Sequence, residues 1–159
     1  MQIDRTFEEL VNLVLPVDED RMNRLPFPGS WTMGQLATHV TKSNNAIAQA
    51  LDMKGSRADR PADQRVEQLR AMFLDFSTQF QSPDFITPED RPYYRDAVIR
   101  DLRGSIARLR EKRMEADLAE VISLKVFSEI SKLELLYFVL FHTQRHLRQL
   151  KNLIRHVNE

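Results

Sequence analysis

Apolar side chains recur at three- and four-residue intervals through most of this chain, and rarely at intervals of two. That property restricts the fold more than any other. Three-four spacing lays an apolar stripe along a helix, whereas period two lays an apolar face on a strand. Ile3, Phe7, Leu10, Val11 and Val14 mark a first helix, which must end near Pro16. A polar segment follows, and the two prolines and the glycine of Leu25-Pro-Phe-Pro-Gly29 break the chain. The second helix starts at Thr32, whose hydroxyl can cap it, and Gln35 three residues later completes a capping box. Its apolar positions include Met33, Leu36, Val40, Ile47 and Leu51, and it ends near Gly55. A third stretch carries Val66, Leu69, Phe73, Phe76 and Phe80, the alternating spacing of a bundle seam, before Pro83, Pro88 and Pro92 force a loop. A fourth shows Val98, Leu102, Ile106 and Leu109 against a charged face in which Arg95, Arg100, Arg103, Arg108 and Arg110 alternate with Asp96, Asp101 and Glu111. That face reads as solvated, with local pairing. The last helix begins near Ser131, with Glu134 completing a second capping box, and runs towards His156.

Strands have little support, and the stretch from Val121 to Phe127 reads as a loop or a brief extended piece. The expected fold is therefore all-α: a four-helix bundle with a connecting segment of irregular structure, residues 1–159 forming one domain. A chain of 159 residues is long enough to bury on the order of 70% of its unfolded surface in one core. Its 23 basic and 23 acidic side chains cancel, which argues against a general nucleic-acid binder. The basic residues of the last turns, Arg145, Arg148, Lys151 and Arg155, are accounted for by the helix dipole. No cysteine occurs, which excludes disulfides, thiolate metal sites and a cysteine nucleophile. The start lacks the pattern of a signal peptide, and the longest apolar run, residues 135–141, is too short to cross a bilayer. A soluble cytoplasmic protein, with neither nucleic acid nor membrane as partner, is the expectation.

Chemistry concentrates in the last helix, where His142 and His146 stand one turn apart. An i, i+4 pair projects two imidazoles from one face, close enough to share a metal ion. The sequence is not that of a His-Glu-x-x-His protease, because Thr143 follows the first histidine. It is not that of a di-iron bundle either, because Val139 and Thr143 stand where glutamates three residues before each histidine would be required. Gly-rich phosphate loops are absent. Leu135, Phe138, Val139, His142, His146 and Gln149 form one stripe, which directs both imidazoles into the bundle, and His39 lies at the edge of the apolar face of the second helix. Two facing helices would bring the three histidines together, and such a ligand set suits zinc, nickel, copper or cobalt better than magnesium or calcium. Gln35 and Gln149, each one turn from a histidine, are candidates for supporting hydrogen bonds. The pair alone is also compatible with hydrogen-bonded histidines that hold no metal. His156 falls outside the stripe and reads as a surface residue, and Trp31 and the phenylalanines read as core.

Two segments resemble motifs of the DinB-like superfamily. Gly29-Ser-Trp-Thr-Met-Gly-Gln-Leu-Ala-Thr-His-Val40 is similar to its Trp-Ser/Thr-x-x-Gln-φ-x-x-His element, φ being apolar, and residues 133–150 resemble its His-x-x-x-His-x-x-Gln helix. The resemblance implies a four-helix bundle, often a homodimer, with a divalent metal held by His39, His142 and His146, zinc or nickel foremost. It also implies a small-molecule substrate and a low-molecular-weight thiol, since relatives include bacillithiol transferases and mycothiol-dependent isomerases. The leading expectation is thus a metal-dependent S-transferase, the alternatives being a hydrolase using metal-bound hydroxide or a non-catalytic bundle that binds a small molecule or partner. Where similar sequences carry His-Pro and then Gly before the last helix, this chain has Leu124-Lys125 and then Ser128, which bears on the rim of the pocket. The last helix also carries Leu133, Leu136, Tyr137, Leu140 and Phe141 away from its histidine stripe, an apolar excess expected to form part of a dimer contact.

Overall fold

The computed structural model describes residues 2–159. The first helix, α1, spans Gln2–Val14, and a four-residue helix, α2, Glu19–Met22, interrupts the polar segment after it. The second is capped by Asp18, whose carboxylate accepts from the Arg21 backbone N–H at 2.8 Å. α3 covers Met33–Asp52 and α6 covers Lys132–Asn158, and both start at the expected capping boxes. At the first, Gln35 Oε1 accepts from the Thr32 N–H at 2.9 Å while the Gln35 N–H donates to Thr32 Oγ1 at 3.2 Å. α4, Val66–Phe73, and α5, Arg95–Glu115, complete the helices. α3 packs chiefly on α5, and α6 packs on α1, α4 and α3, so the four long helices are α1, α3, α5 and α6. The core between them includes Leu10, Leu36, Leu102, Leu135, Phe141 and Leu150, all almost fully buried.

The third helical stretch is shorter than its spacing predicts. α4 stops at Phe73, and Phe76 and Phe80 are 44% and 45% exposed rather than packed in a seam. Polar groups compete with the helix there. The Asp75 carboxylate accepts from the Ser77 N–H and hydroxyl and from the Thr78 hydroxyl, a local pattern that diverts the backbone. Arg145 of α6 then holds the carbonyls of Phe73 and Asp75, at 3.2 and 2.8 Å, together with that of Thr78.

Extended structure also exceeds the expectation. β2, Glu120–Leu124, and β3, Ser128–Ser131, form an antiparallel hairpin in which Ile122 faces Ile130, and β1, Ser56–Arg57, adds to its edge through Ser56 opposite Val121. Gly55 permits that approach, because a Cβ there would lie 2.6 Å from the Val121 carbonyl oxygen. Ser128 makes the turn with a φ of 58°. The hairpin brings α6 back over α4, and Phe127 packs its ring 4.8 Å from Phe138.

Charged residues of α5 pair locally, Arg95 with Asp96 and Arg100 with Asp101, but Arg110 and Arg113 reach Asp4 of α1. On α6, Leu136, Leu140 and Phe141 are buried within the protein's own core, and Leu133 and Tyr137 are half-buried. Three of the five apolar residues on which a dimer contact is expected are thus taken up by the protein's own core, and Leu133 and Tyr137 keep partial exposure. No helix among the described residues is long and apolar enough to cross a membrane.

Candidate metal centre

Helix α3 carries His39 seven residues beyond its cap, and α6 carries His142 and His146 one turn apart. The contact between these helices brings three Nε2 atoms together: 3.2 Å from His39 to His142, 3.0 Å from His39 to His146, and 3.0 Å from His142 to His146. All three side chains are buried, at 1%, 8% and 8% exposure.

In His39 and His146 the hydrogen bond of the outer nitrogen determines whether the inner one carries a proton or a lone pair. His39 Nδ1 donates to the Ile86 carbonyl at 2.8 Å, from a 3-10 turn at Asp84–Ile86. A carbonyl only accepts, so the ring proton sits on Nδ1 and a neutral His39 presents a bare lone pair at Nε2. His146 Nδ1 likewise bonds Gln149 Oε1 at 2.9 Å, which leaves its Nε2 bare as well. Two lone pairs therefore face each other at 3.0 Å, an arrangement that is repulsive unless a cation lies between them.

Protonation does not supply that cation at neutral pH. Burial pushes the His39 pKa down, against the opposing pull of the Ile86 carbonyl. Burial, then the neighbouring imidazoles and Arg145, push His142 well below the ordinary range. His146 falls to about 3, chiefly through burial and then the charge of His39. A metal ion meets the need instead. Tetrahedral zinc with bonds of about 2.0–2.1 Å spaces its nitrogen ligands about 3.3 Å apart, within a few tenths of an ångström of the observed separations. The buried three-histidine group could therefore hold a metal ion.

Aromatic rings wall the cluster. Phe138 stacks on His142 with centroids 5.0 Å apart, Trp31 lies 5.0 Å from His39, and Phe73 approaches His142 edge-on at 6.3 Å. The cluster opens into a cavity of about 2060 Å³ bounded by α3, α4, α6 and the 74–86 connection. Of the residues singled out in the sequence, the three histidines and Gln149 meet here. Gln35 does not, because its side-chain oxygen is taken by the Thr32 cap. His156 is exposed, as expected. Sequence reasoning assigned Trp31, Phe73 and Phe138 to the core. Phe138, four residues before His142, was detectable from helical spacing, whereas the Ile86 carbonyl carries no side-chain signal at all.

A bundle of helices with a buried three-histidine group at the end of an aromatic cavity defines the class of this molecule. The chain belongs to the DinB superfamily, whose family model matches residues 2–150. It is 24% identical over 155 residues to YuaE of Bacillus subtilis (strain 168), described as an uncharacterized protein, with 93% of this chain and 90% of that protein covered. Among solved structures it is similar to TT2238, a four-helix bundle protein, with a TM-score of 0.61, 18% identity and coverage of 95% and 94% of the two chains.

Proposed function

We propose that the protein is a metal-dependent enzyme in which His39, His142 and His146 hold one divalent transition metal, zinc or nickel, with a position left open towards the cavity. The observation that carries this reading is the bare His39 Nε2, fixed by Ile86 and aimed at two further imidazoles. Three neutral ligands leave the ion its full charge, and bound there it would supply a Lewis acid able to stabilise a thiolate at neutral pH. Gln149 holds the His146 ring in the tautomer that keeps Nε2 free.

The reaction favoured is transfer of a small-molecule thiol, of the bacillithiol type, to an electrophile. The chain has no cysteine, so the thiol comes from outside. No carboxylate lines the cavity among the described residues, so the site offers no general base beside the metal, and an anionic nucleophile, thiolate or metal-bound hydroxide, is favoured electrostatically. Pairing of two copies, which the family resemblance implies, is decided by sedimentation at micromolar concentration, and a clean monomer mass rejects it.

Elemental analysis of protein purified without an affinity tag tests the metal. One ion per chain in wild type and a loss of most of it in His142→Ala is the expected result, and equal, negligible content in both rejects the site. Activity is tested with a panel of electrophiles plus thiols beside a panel of esters and amides, and thiol-independent turnover rejects the transferase.

A further inference from the structure

The chain as a whole is electrically neutral, but its cavity is not. The side chains of fixed charge that line it are Arg65, Lys125, Arg145, Arg148, Lys151 and Arg155, all basic, and none of the described acids joins them. Some of these charges are engaged elsewhere. Lys151 pairs with Glu9 at 2.6 Å, and Arg65 is held by the carbonyls of Phe127 and Glu129. The two nearest the histidines in sequence are oriented without being neutralised. Arg145 binds backbone carbonyls and lies 4.8 Å over the Phe80 ring, and Arg148 lies 4.4 Å over the Phe76 ring. Neither makes an ion pair with a described carboxylate, and only Arg145 has one, Asp75, near enough to act on its charge. Carbonyls and ring faces steer a guanidinium but leave its charge intact.

Apolar exposure is concentrated in the same place. Phe27, Met53, Met72, Phe76, Phe80, Phe85 and Val126 are large apolar side chains left in solvent, and all of them line this one cavity. Its volume of about 2060 Å³ exceeds the roughly 300–1,000 Å³ of an ordinary ligand pocket, so an extended ligand fits. Such a wall, apolar over much of its area with guanidinium groups laid over Phe76 and Phe80, is complementary to a molecule that is both apolar and anionic.

We propose that this cavity binds a small organic anion with an extended apolar body, its charged head at Arg145 and Arg148 of α6, the helix that carries His142 and His146, and its body along the exposed apolar wall that includes Met53, Met72 and Phe85. The inference deepens the metal-dependent reading and rests on it for the position of the reacting end. A divalent ion held by neutral imidazoles would add to the same positive field, and no described carboxylate lines the cavity.

Decane-1-sulfonate, decan-1-ol and decyltrimethylammonium, all below micelle formation, share a chain and differ in charge. Trp31 is the only tryptophan and lines the cavity, so its fluorescence reports binding, with calorimetry as the second readout. Each ligand is titrated into zinc-loaded and chelator-stripped protein, and metal content is measured on the same samples. The sulfonate should saturate one site at least about tenfold more tightly than the alcohol or the ammonium, and Arg148→Glu should weaken it by about tenfold. Arg148→Gln repeats the comparison if the charge reversal disturbs the fold. Equal binding of alcohol and sulfonate, absence of a saturable site, or an affinity unchanged in both Arg148 variants overturns the inference. Sulfonate selectivity in protein that takes up no metal upholds the ligand class and rejects the metal reading. Metal uptake without sulfonate selectivity does the reverse.

Discussion

His39 and Ile86 stand 47 positions apart in the chain, and the 2.8 Å bond between the His39 Nδ1 and the Ile86 carbonyl makes the chemistry of one depend on the backbone of the other. By accepting the hydrogen bond from Nδ1–H, the carbonyl keeps the ring proton there and leaves the Nε2 lone pair to whatever lies between the histidines. It also ties the long 74–94 connection to the site, since the turn that presents the carbonyl is anchored by the Ile86 side chain, which is itself 8% exposed.

Loosening that anchor should weaken metal binding without removing a ligand. Ile86→Ala is expected to lower metal affinity by roughly tenfold, the usual scale for partners that orient a metal-bound histidine. Competition against a chromogenic chelator measures it, and an unchanged affinity would show that the ring is held without the turn.

Gln149 is the corresponding partner of His146. Gln149→Met keeps the length of the side chain but removes the acceptor, and should cost roughly 10- to 100-fold in metal affinity. Gln149→Glu retains an acceptor and should recover most of that loss. Equal behaviour of the two variants would mean that the 2.9 Å bond has no part in holding the metal.

The pH dependence of the metal-free fold follows from the same burial. An unfolded histidine takes up a proton near pH 6.5, whereas folded His39 and His142 do so lower and His146 only at about 3. Below pH 6.5 the unfolded chain therefore binds more protons than the folded one. Stability is fully present above that pH and is lost as pH falls from about 6.5 towards 3, by about 1.4 kcal/mol per pH unit for each extra proton bound on unfolding. Urea titrations of chelated protein between pH 8 and pH 4 should show the decline, and replacing all three histidines by neutral side chains should flatten it.

Glu134 closes α6 at its start with four acceptor contacts: Arg60 through both terminal nitrogens at 3.0 and 2.9 Å, and the backbone N–H groups of Arg65 and Ser131 at 2.6 and 2.9 Å. Its side chain is 0% exposed, so removing it takes from Arg60 its buried partner, leaving only a 3.4 Å pair with Glu129 and the Pro61 carbonyl, and leaves two N–H donors unpaired. Glu134→Ala should cost about 3–5 kcal/mol, read from the urea midpoint. A loss below about 1 kcal/mol would place this carboxylate among ordinary surface ion pairs.

Phenylalanines that look alike in sequence should behave differently. Phe141→Ala, at 0% exposure, is expected to cost about 3–5 kcal/mol. Phe76→Ser and Phe80→Ser lie outside the packed core and should cost no more than about 1 kcal/mol each while changing the cavity wall. Comparable losses at all three positions would restore the longer bundle seam that the spacing suggests.

Whatever depends on residues three or four positions apart was legible in the chain. The capping boxes at Thr32 and Ser131, the apolar stripes of the long helices, and the projection of His142 and His146 from one face all follow from helical geometry within a single segment. The arrival of His39 between them was legible as a possibility, because a bundle must place helices face to face, and as a family resemblance. Contacts between distant segments settled the rest. The end of α4 at Phe73 depends on Arg145 from a helix far along the chain, and β1 pairs with β2 across more than sixty residues. The proton on His39 is fixed by a main-chain carbonyl that any residue at position 86 would have offered. The basic, acid-free cavity is likewise invisible in a neutral composition, because charge balance counts residues and a cavity selects which of them face one another. Local spacing sets what a segment can form, but contacts between distant segments set which nitrogen is bare, which ring is exposed and which charge is left unpaired.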